Sequence, residues 1–343
     1  MQLVAMAIHA DVLCACVFLS SITVACYGHK ESWGHDDYAI STTAPKCSAE
    51  SSTREFCVAE VKPHFQCFLS ASARERAKTY VNNLVKEGFG LIALIQWETQ
   101  YDQPQGYTAF GATCGGKYPD PVVVLVNEQL FSIEDAIGNT ALKDYALMPY
   151  VVNGSEPSSY LTNCVSDPHT TGYRGYAGAM LKEKASGKEF CVVSATFPHC
   201  NKHWYPEFAR NIQEKCRGKE LLLIVDTNAG CERKGREDSH KESMTDISRI
   251  HSAGWGQCSD PGAAASQPPT CCHDLKLGHP EAQYWYDRTA LCSDGSAPGV
   301  VKQFQVKESW VCGTDQEHSF TSAIVQLGSE TGLDMEAAKM IFQ

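Results

Sequence analysis

The apolar run Leu221-Leu222-Leu223-Ile224-Val225 ends in Asp226-Thr227-Asn228. A strand leaving a core here would carry an acid and an amide two residues apart, on one side of the chain. Such a pair can orient a water molecule and a phosphoryl oxygen together. Asp and Asn are also common at strand-to-turn junctions, so this segment alone leaves both readings open. Four further segments close in polar groups of catalytic type: Gln96-Trp97-Glu98, Ala195-Thr196-Phe197-Pro198-His199, Tyr286-Asp287-Arg288 and Gln316-Glu317-His318. His199 and His318 supply imidazoles that titrate near neutral pH, as a general acid or base must. Asp287 is a carboxylate able to hold an imidazole or an amide in place. Arg174, in Gly172-Tyr173-Arg174-Gly175, reads either as a fork of donors for a phosphate or as a solvated surface arginine.

These groups need strands to carry them, and the hydrophobic pattern supplies strands. A helix is expected over 71–87, where Ala77, Tyr80, Val81, Leu84 and Val85 form an apolar stripe and Gly88 can close the C-terminus. It leads into a buried strand over 90–98. Further strands are expected over 121–127, 179–184, 189–197, 220–228, 284–291, 301–310 and 321–327, with a turn at 185–188 and a helix over 205–216. An N-terminal strand is expected at 64–70, a loop at 261–269, and no internal repeat is visible. Hairpins mixed with helical crossovers point to an α/β fold of two packed mixed β-sheets flanked by helices.

The five polar segments, in this order, resemble the endonuclease/exonuclease/phosphatase (deoxyribonuclease I-like) superfamily. Its strands end successively in Gln-Glu, Thr-His-Leu-like, Gly-Asp-Phe-Asn, Tyr-Asp-Arg and Ser-Asp-His motifs. The resemblance spans 61–328 and implies a four-layered α/β sandwich that hydrolyses phosphoesters by in-line attack of water on phosphorus. It implies catalytic roles for Asp226, Asn228, His318, Asp287 and His199, and phosphate binding by Asn228 and Arg174. It also implies a divalent cation, Mg²⁺ or else Mn²⁺ or Ca²⁺, on Glu98, Glu317 and Asp226. The Tyr-Asp-Arg segment is closest to the nuclease branch, which favours nucleic acid over a phospholipid; a sphingomyelinase-like or phosphatase-like enzyme shares the core. The chain departs from the pattern at Trp97, Thr196 and Glu317, and 64–70 lacks the Asn of the family's metal site. Those departures raise the alternative of a non-catalytic secreted binding protein.

Composition limits these readings. At 343 residues, 43% apolar and 20% charged, the chain can bury a substantial core. A net charge of -11 argues against a stable nucleic-acid complex but permits brief contact with a polyanion. A monomer is expected. The apolar stretch 12–24, followed by small residues, reads as a signal peptide over 1–28, the competing reading being an uncleaved membrane anchor. Of 17 cysteines, Cys14, Cys16 and Cys26 fall there, leaving an even 14 from Cys47 to Cys312. Their dispersion suits disulfides in an oxidising compartment; the adjacent pair Cys271-Cys272 lacks zinc-ligand spacing. The polar stretch 29–60 is expected to be a leader tied down by Cys47 and Cys57, and 329–343 a short tail. Secretion is the localisation that follows.

Overall fold

Alternation along the apolar runs builds two sheets with three apolar layers. In a computed structural model of the chain, the residues described are 42–49, 54–63, 71–97, 101–112, 121–137, 141–142, 164–166, 173–197, 205–228, 257–264, 266–271, 286–293, 299–309 and 319–328. All of them belong to one unit, Ile40–Gln343. In chain order the described strands are β1 (Glu55–Val61), β2 (Leu91–Ile95), β3 (Tyr107–Ala112), β4 (Val122–Asn127), β5 (Phe131–Ile137), β6 (Ala141–Leu142) and β7 (Cys164–Ser166). They continue as β8 (Tyr173–Glu183), β9 (Glu189–Thr196), β10 (Glu220–Asp226), β11 (Gln257–Ser259), β12 (Asp287–Ser293), β13 (Val300–Ser309) and β14 (Ser319–Gln326). The first sheet runs β13-β14-β1-β2-β4-β3-β6 and the second β11-β12-β10-β9-β8-β5, with β7 added to β8. Both are mixed: β1 is parallel to β2 and β10 to β9, and the remaining ladders are antiparallel.

Side chains at every second position explain the layers. Phe56 and Val58 of β1, Leu91 and Ala93 of β2, Val192 of β9, Leu222 and Ile224 of β10 and Val325 of β14 fill the space between the sheets. The intervening residues of β1 and β2 meet helix α1 (Ala71–Lys86), which buries Ala73, Ala77, Tyr80, Val81 and Leu84. Those of β9 and β10 meet helix α2 (Tyr205–Cys216) through Phe208 and Ile212. The order of layers is α1, first sheet, second sheet, α2. Each fully buried Leu, Ile, Val or Phe stabilises the fold by about 1.5–3 kcal/mol before entropy is counted. Gly88 closes α1 at φ +77°, its N–H bonding Val85 O at 3.0 Å, the left-handed cap that glycine takes without strain.

Disulfides join Cys47 to Cys57, Cys191 to Cys216 and Cys258 to Cys292. Cys47 and Cys57 are thus bonded to each other. Among the described residues no helix is long and apolar enough to cross a membrane; 1–28, read as a signal peptide, lies outside them. The sequence reading differs from the fold at the N-terminus. β1 begins inside 29–60, the stretch expected as a leader, and is central in the first sheet, between β14 and β2. The stretch 64–70, expected to be the N-terminal strand, lies outside the described residues.

Candidate active site

The alternation that fills the layer between the sheets with apolar side chains delivers polar ones at one end of it. On β1 the row Phe56, Val58 continues to Glu60; on β10 Leu222 and Ile224 are followed by Asp226. On β9 Val192 leads to Ser194 and Thr196, and on β12 Leu291 leads back to Thr289 and Asp287. The registers align these ends. Asp226 is paired with Asp287 on one side and Thr196 on the other, while Glu60 is paired with Thr321 of β14. All are withdrawn from solvent, Asp226 at 0%, Glu60 and Asp287 at 1% and Lys62 at 2% exposure.

Asp226 is held from both sheets. The Lys62 ammonium, just beyond β1, donates to Asp226 Oδ2 as a buried ion pair. The Asn228 backbone N–H donates to Asp226 Oδ1 at 2.9 Å, from a left-handed turn at φ +42°. The Asn228 amide then donates to Phe197 O at 2.8 Å, and Phe197 N–H to Asp226 O at 2.8 Å, tying the ends of β9 and β10 together. Thr227 bonds Tyr286 O through its N–H at 2.8 Å and its hydroxyl at 3.0 Å. Thr270 joins two other chain segments: its Oγ1 accepts from Asp287 N–H at 3.0 Å and its carbonyl from Ser319 N–H at 2.6 Å.

Glu60 carries the electrostatic anomaly. Burial pushes its carboxyl well above the usual carboxylate range, and the nearby charges of Asp287 and Asp226 add to that, opposed by Lys62. As a carboxylate, its Oε1 finds no donor among the described residues, and Thr321 Oγ1 lies at 3.4 Å from Oε2. As an acid it hydrogen-bonds Asp287. Glu60 thus stands near two further buried carboxyl groups, Asp226 and Asp287, and near the lysine that pairs with Asp226. The opposite end of the sandwich holds a buried acid without any such surplus. Glu220, first residue of β10, takes the Lys188 ammonium at 2.7 Å and the N–H groups of Gly299 at 2.6 Å and Gly328 at 3.1 Å. A carboxylate so satisfied is a structural clasp. At the Asp226 end, among the described residues, three buried carboxyl groups accompany one lysine.

No protein-family model matches the chain, and no curated protein matches it in sequence. Among solved structures it is similar to the endonuclease/exonuclease/phosphatase from Bacteroides vulgatus, with a TM-score of 0.52 at 12% identity, covering 80% of this chain and 99% of that one. It is similar also to D. rerio TDP2 complexed with a single-strand DNA product, with a TM-score of 0.50 at 12% identity, covering 79% of this chain and 98% of that one. The chain has the endonuclease/exonuclease/phosphatase fold. On this fold the expected residues Asp226, Asn228 and Asp287 come together at the end of the second sheet. Asn228 is not a second cleft group on the strand, because β10 stops at Asp226 and the left-handed turn sends the Asn228 amide back to the backbone. Asp226, expected also to bind metal, has its two oxygens on Lys62 and on the Asn228 N–H.

Other expectations change with the geometry. Arg174 is buried, 7% exposed, which rules out a solvated surface arginine. Alternation along β8 places it with Tyr176 on the α2 face, whereas Ala177 faces the layer that contains Asp226. The strand expected to bear Gln96 and Glu98 ends at Ile95; Gln96 turns at φ +53°, and Trp97 packs into the α1 layer, its ring 5.8 Å from Tyr101. Strand alternation therefore does not decide between Gln96 and Glu98. Glu98, His199, Glu317 and His318 lie outside the described residues, and among the described ones no three His, Cys, Asp or Glu side chains are arranged to hold a metal ion. Glu60 and Lys62 were missed. Their signal was present in Phe56-Cys57-Val58-Ala59-Glu60-Val61, an apolar run broken only by the acid.

Proposed function

We propose that the chain is a secreted, divalent-cation-dependent phosphoester hydrolase whose centre lies where β1, β9 and β10 end and β12 begins, between the two sheets. The observation that carries the reading is the surplus of buried carboxylate around Asp226, set against the satisfied Glu220 at the other end. The donor chemistry fits a hard divalent cation: oxygen ligands, negative charge and a Glu60 oxygen with no partner among the described residues. Glu98 and Glu317 would hold it, with Glu60 as the contributor from β1. When bound, such an ion offsets the phosphate charge and stabilises the leaving oxygen.

The chain's own groups do the rest. Asp226, fixed by Lys62 and by the Asn228 turn, orients the attacking water in line with phosphorus. His318 moves the proton, with Asp287 setting its tautomer. That pairing draws support from Thr270, which bonds both Asp287 and Ser319, the residue after His318. His199 remains a candidate acid beyond β9, where the buried Thr196 hydroxyl has no partner among the described residues. The likeness to a TDP2 structure holding a single-strand DNA product supports a nucleic-acid phosphodiester ahead of a phospholipid head group. The disulfides support export.

A second reading, a secreted binding protein that keeps the scaffold, is favoured by Lys62, whose ammonium neutralises Asp226. Purified oxidised protein should be assayed against DNA, RNA, sphingomyelin and a generic phosphodiester, with Mg²⁺ and with EDTA. The hydrolase reading expects EDTA-sensitive cleavage, with DNA or RNA cleaved fastest. Absence of turnover on all four with Mg²⁺, Mn²⁺ or Ca²⁺ would leave the binding-protein reading standing.

A further inference from the structure

We propose that Lys62 is the resident cation of this centre, a positioning residue that holds Asp226 in place and keeps a divalent ion off that carboxylate. Lys62 follows β1 of the first sheet and Asp226 ends β10 of the second, so their ion pair closes the gap between the sheets at the polar end. Both side chains are almost wholly buried, at 2% and 0% exposure. A compact ammonium in a dry layer is a strong point charge, and it is already in place before any ligand arrives. The second Asp226 oxygen is taken by the Asn228 N–H, so both oxygens have donors from the chain itself. Glu60, on β1 two residues before Lys62, lacks such a donor on Oε1 among the described residues. The centre is thus divided. Asp226 carries a covalently tethered positive charge, while the Glu60 side is left for an ion from solution.

The division makes a countable prediction. Removing the ammonium without filling its place with another charge leaves Asp226, Asp287 and Glu60 as three buried carboxyl groups with no lysine among them. Such a site either collapses or takes up a cation. Lys62→Met should therefore acquire one more divalent ion per chain than the wild type.

The experiment is equilibrium binding of Mn²⁺ to the full oxidised chain without substrate, with free Mn²⁺ read by its paramagnetic resonance signal. Thermal unfolding in EDTA and in Mn²⁺ is measured in parallel. Lys62→Met should bind one additional Mn²⁺, melt below wild type in EDTA and regain most of the difference in Mn²⁺. Lys62→Arg, which keeps the charge, should bind the wild-type number. Adding Asp226→Asn to Lys62→Met should abolish the additional ion and restore thermal stability in EDTA, since the neutral pair needs no counter-ion. Unchanged Mn²⁺ stoichiometry and affinity in a folded Lys62→Met overturn the proposal. So does a Lys62→Met that stays unfolded in Mn²⁺ while the double variant folds and binds the wild-type number, because a purely structural pair predicts that pattern. If the double variant keeps the additional ion, Asp226 is not its ligand and the proposal also fails. The inference adds to the hydrolase reading but is tested without turnover, so an inactive protein with the expected Mn²⁺ counts would sink that reading and leave this one.

Discussion

Glu60 is the residue that a stable core would not choose. It is buried beside Asp287 and Asp226, and its carboxyl is held well above the usual range by burial first and by those charges second. Each unit of such a shift corresponds to about 1.4 kcal/mol of cost to the charged form. Glu60→Gln keeps the shape and removes the charge. In EDTA it should therefore raise stability, by about 1 kcal/mol or roughly 1–2 °C in melting temperature. The same substitution should weaken divalent-cation binding at least tenfold. A lowered melting temperature in EDTA would mean that the acid stabilises the fold. At this scale the sequence was partly legible: Asp226 ends a long apolar run and Asp287 follows the aromatic run Tyr284-Trp285-Tyr286. Lys62 did not stand out, because its meaning depends on a partner 164 positions away.

The elements divide into those that carry the site and those that brace it. α2 lies on the outer face of the second sheet, bonded to β9 through Cys191–Cys216, and none of the polar ends of the inter-sheet layer faces it. Replacing both cysteines by Ser opens a loop of 25 residues and should cost about 3 kcal/mol in chemical unfolding. Hydrolytic turnover by the folded fraction should stay within a factor of about 3 of wild type, as expected for a brace remote from the reacting groups. A much larger loss of turnover at unchanged fold would place α2 in the mechanism. Both helices and most long strands were readable, since α1 and α2 have clear apolar stripes and β2, β4, β9 and β10 are unbroken apolar runs. β1 was hidden by charged ends and a Ser/Thr-rich approach, and β5 by its polar alternation Ser132, Glu134, Asp135. The end of β2 misled because local periodicity does not reveal the positive φ of Gln96.

At the scale of the whole molecule, two mixed sheets between α1 and α2 confine Glu60, Lys62, Asp226 and Asp287 to one rim of a buried layer, where charge acts at low dielectric. The net charge of -11 disfavours lasting attachment to a polyanion. Export predicts that most cysteines from Cys47 onward are oxidised, and Cys271 is disulfide-bonded in addition to the three described pairs. Mass spectrometry of the alkylated protein before and after reduction checks this; mostly free thiols would remove the case for secretion. The central claim is that Asp226 is the working carboxylate of a phosphoester hydrolase. Its most direct test is the turnover number of Asp226→Asn on the best phosphodiester substrate, at saturating Mg²⁺, in protein shown to be folded. A loss of roughly 100-fold or more in kcat, with a much smaller change in KM, is the predicted result, because the amide keeps an acceptor for Lys62 but cannot activate water. Turnover equal to wild type would contradict the account.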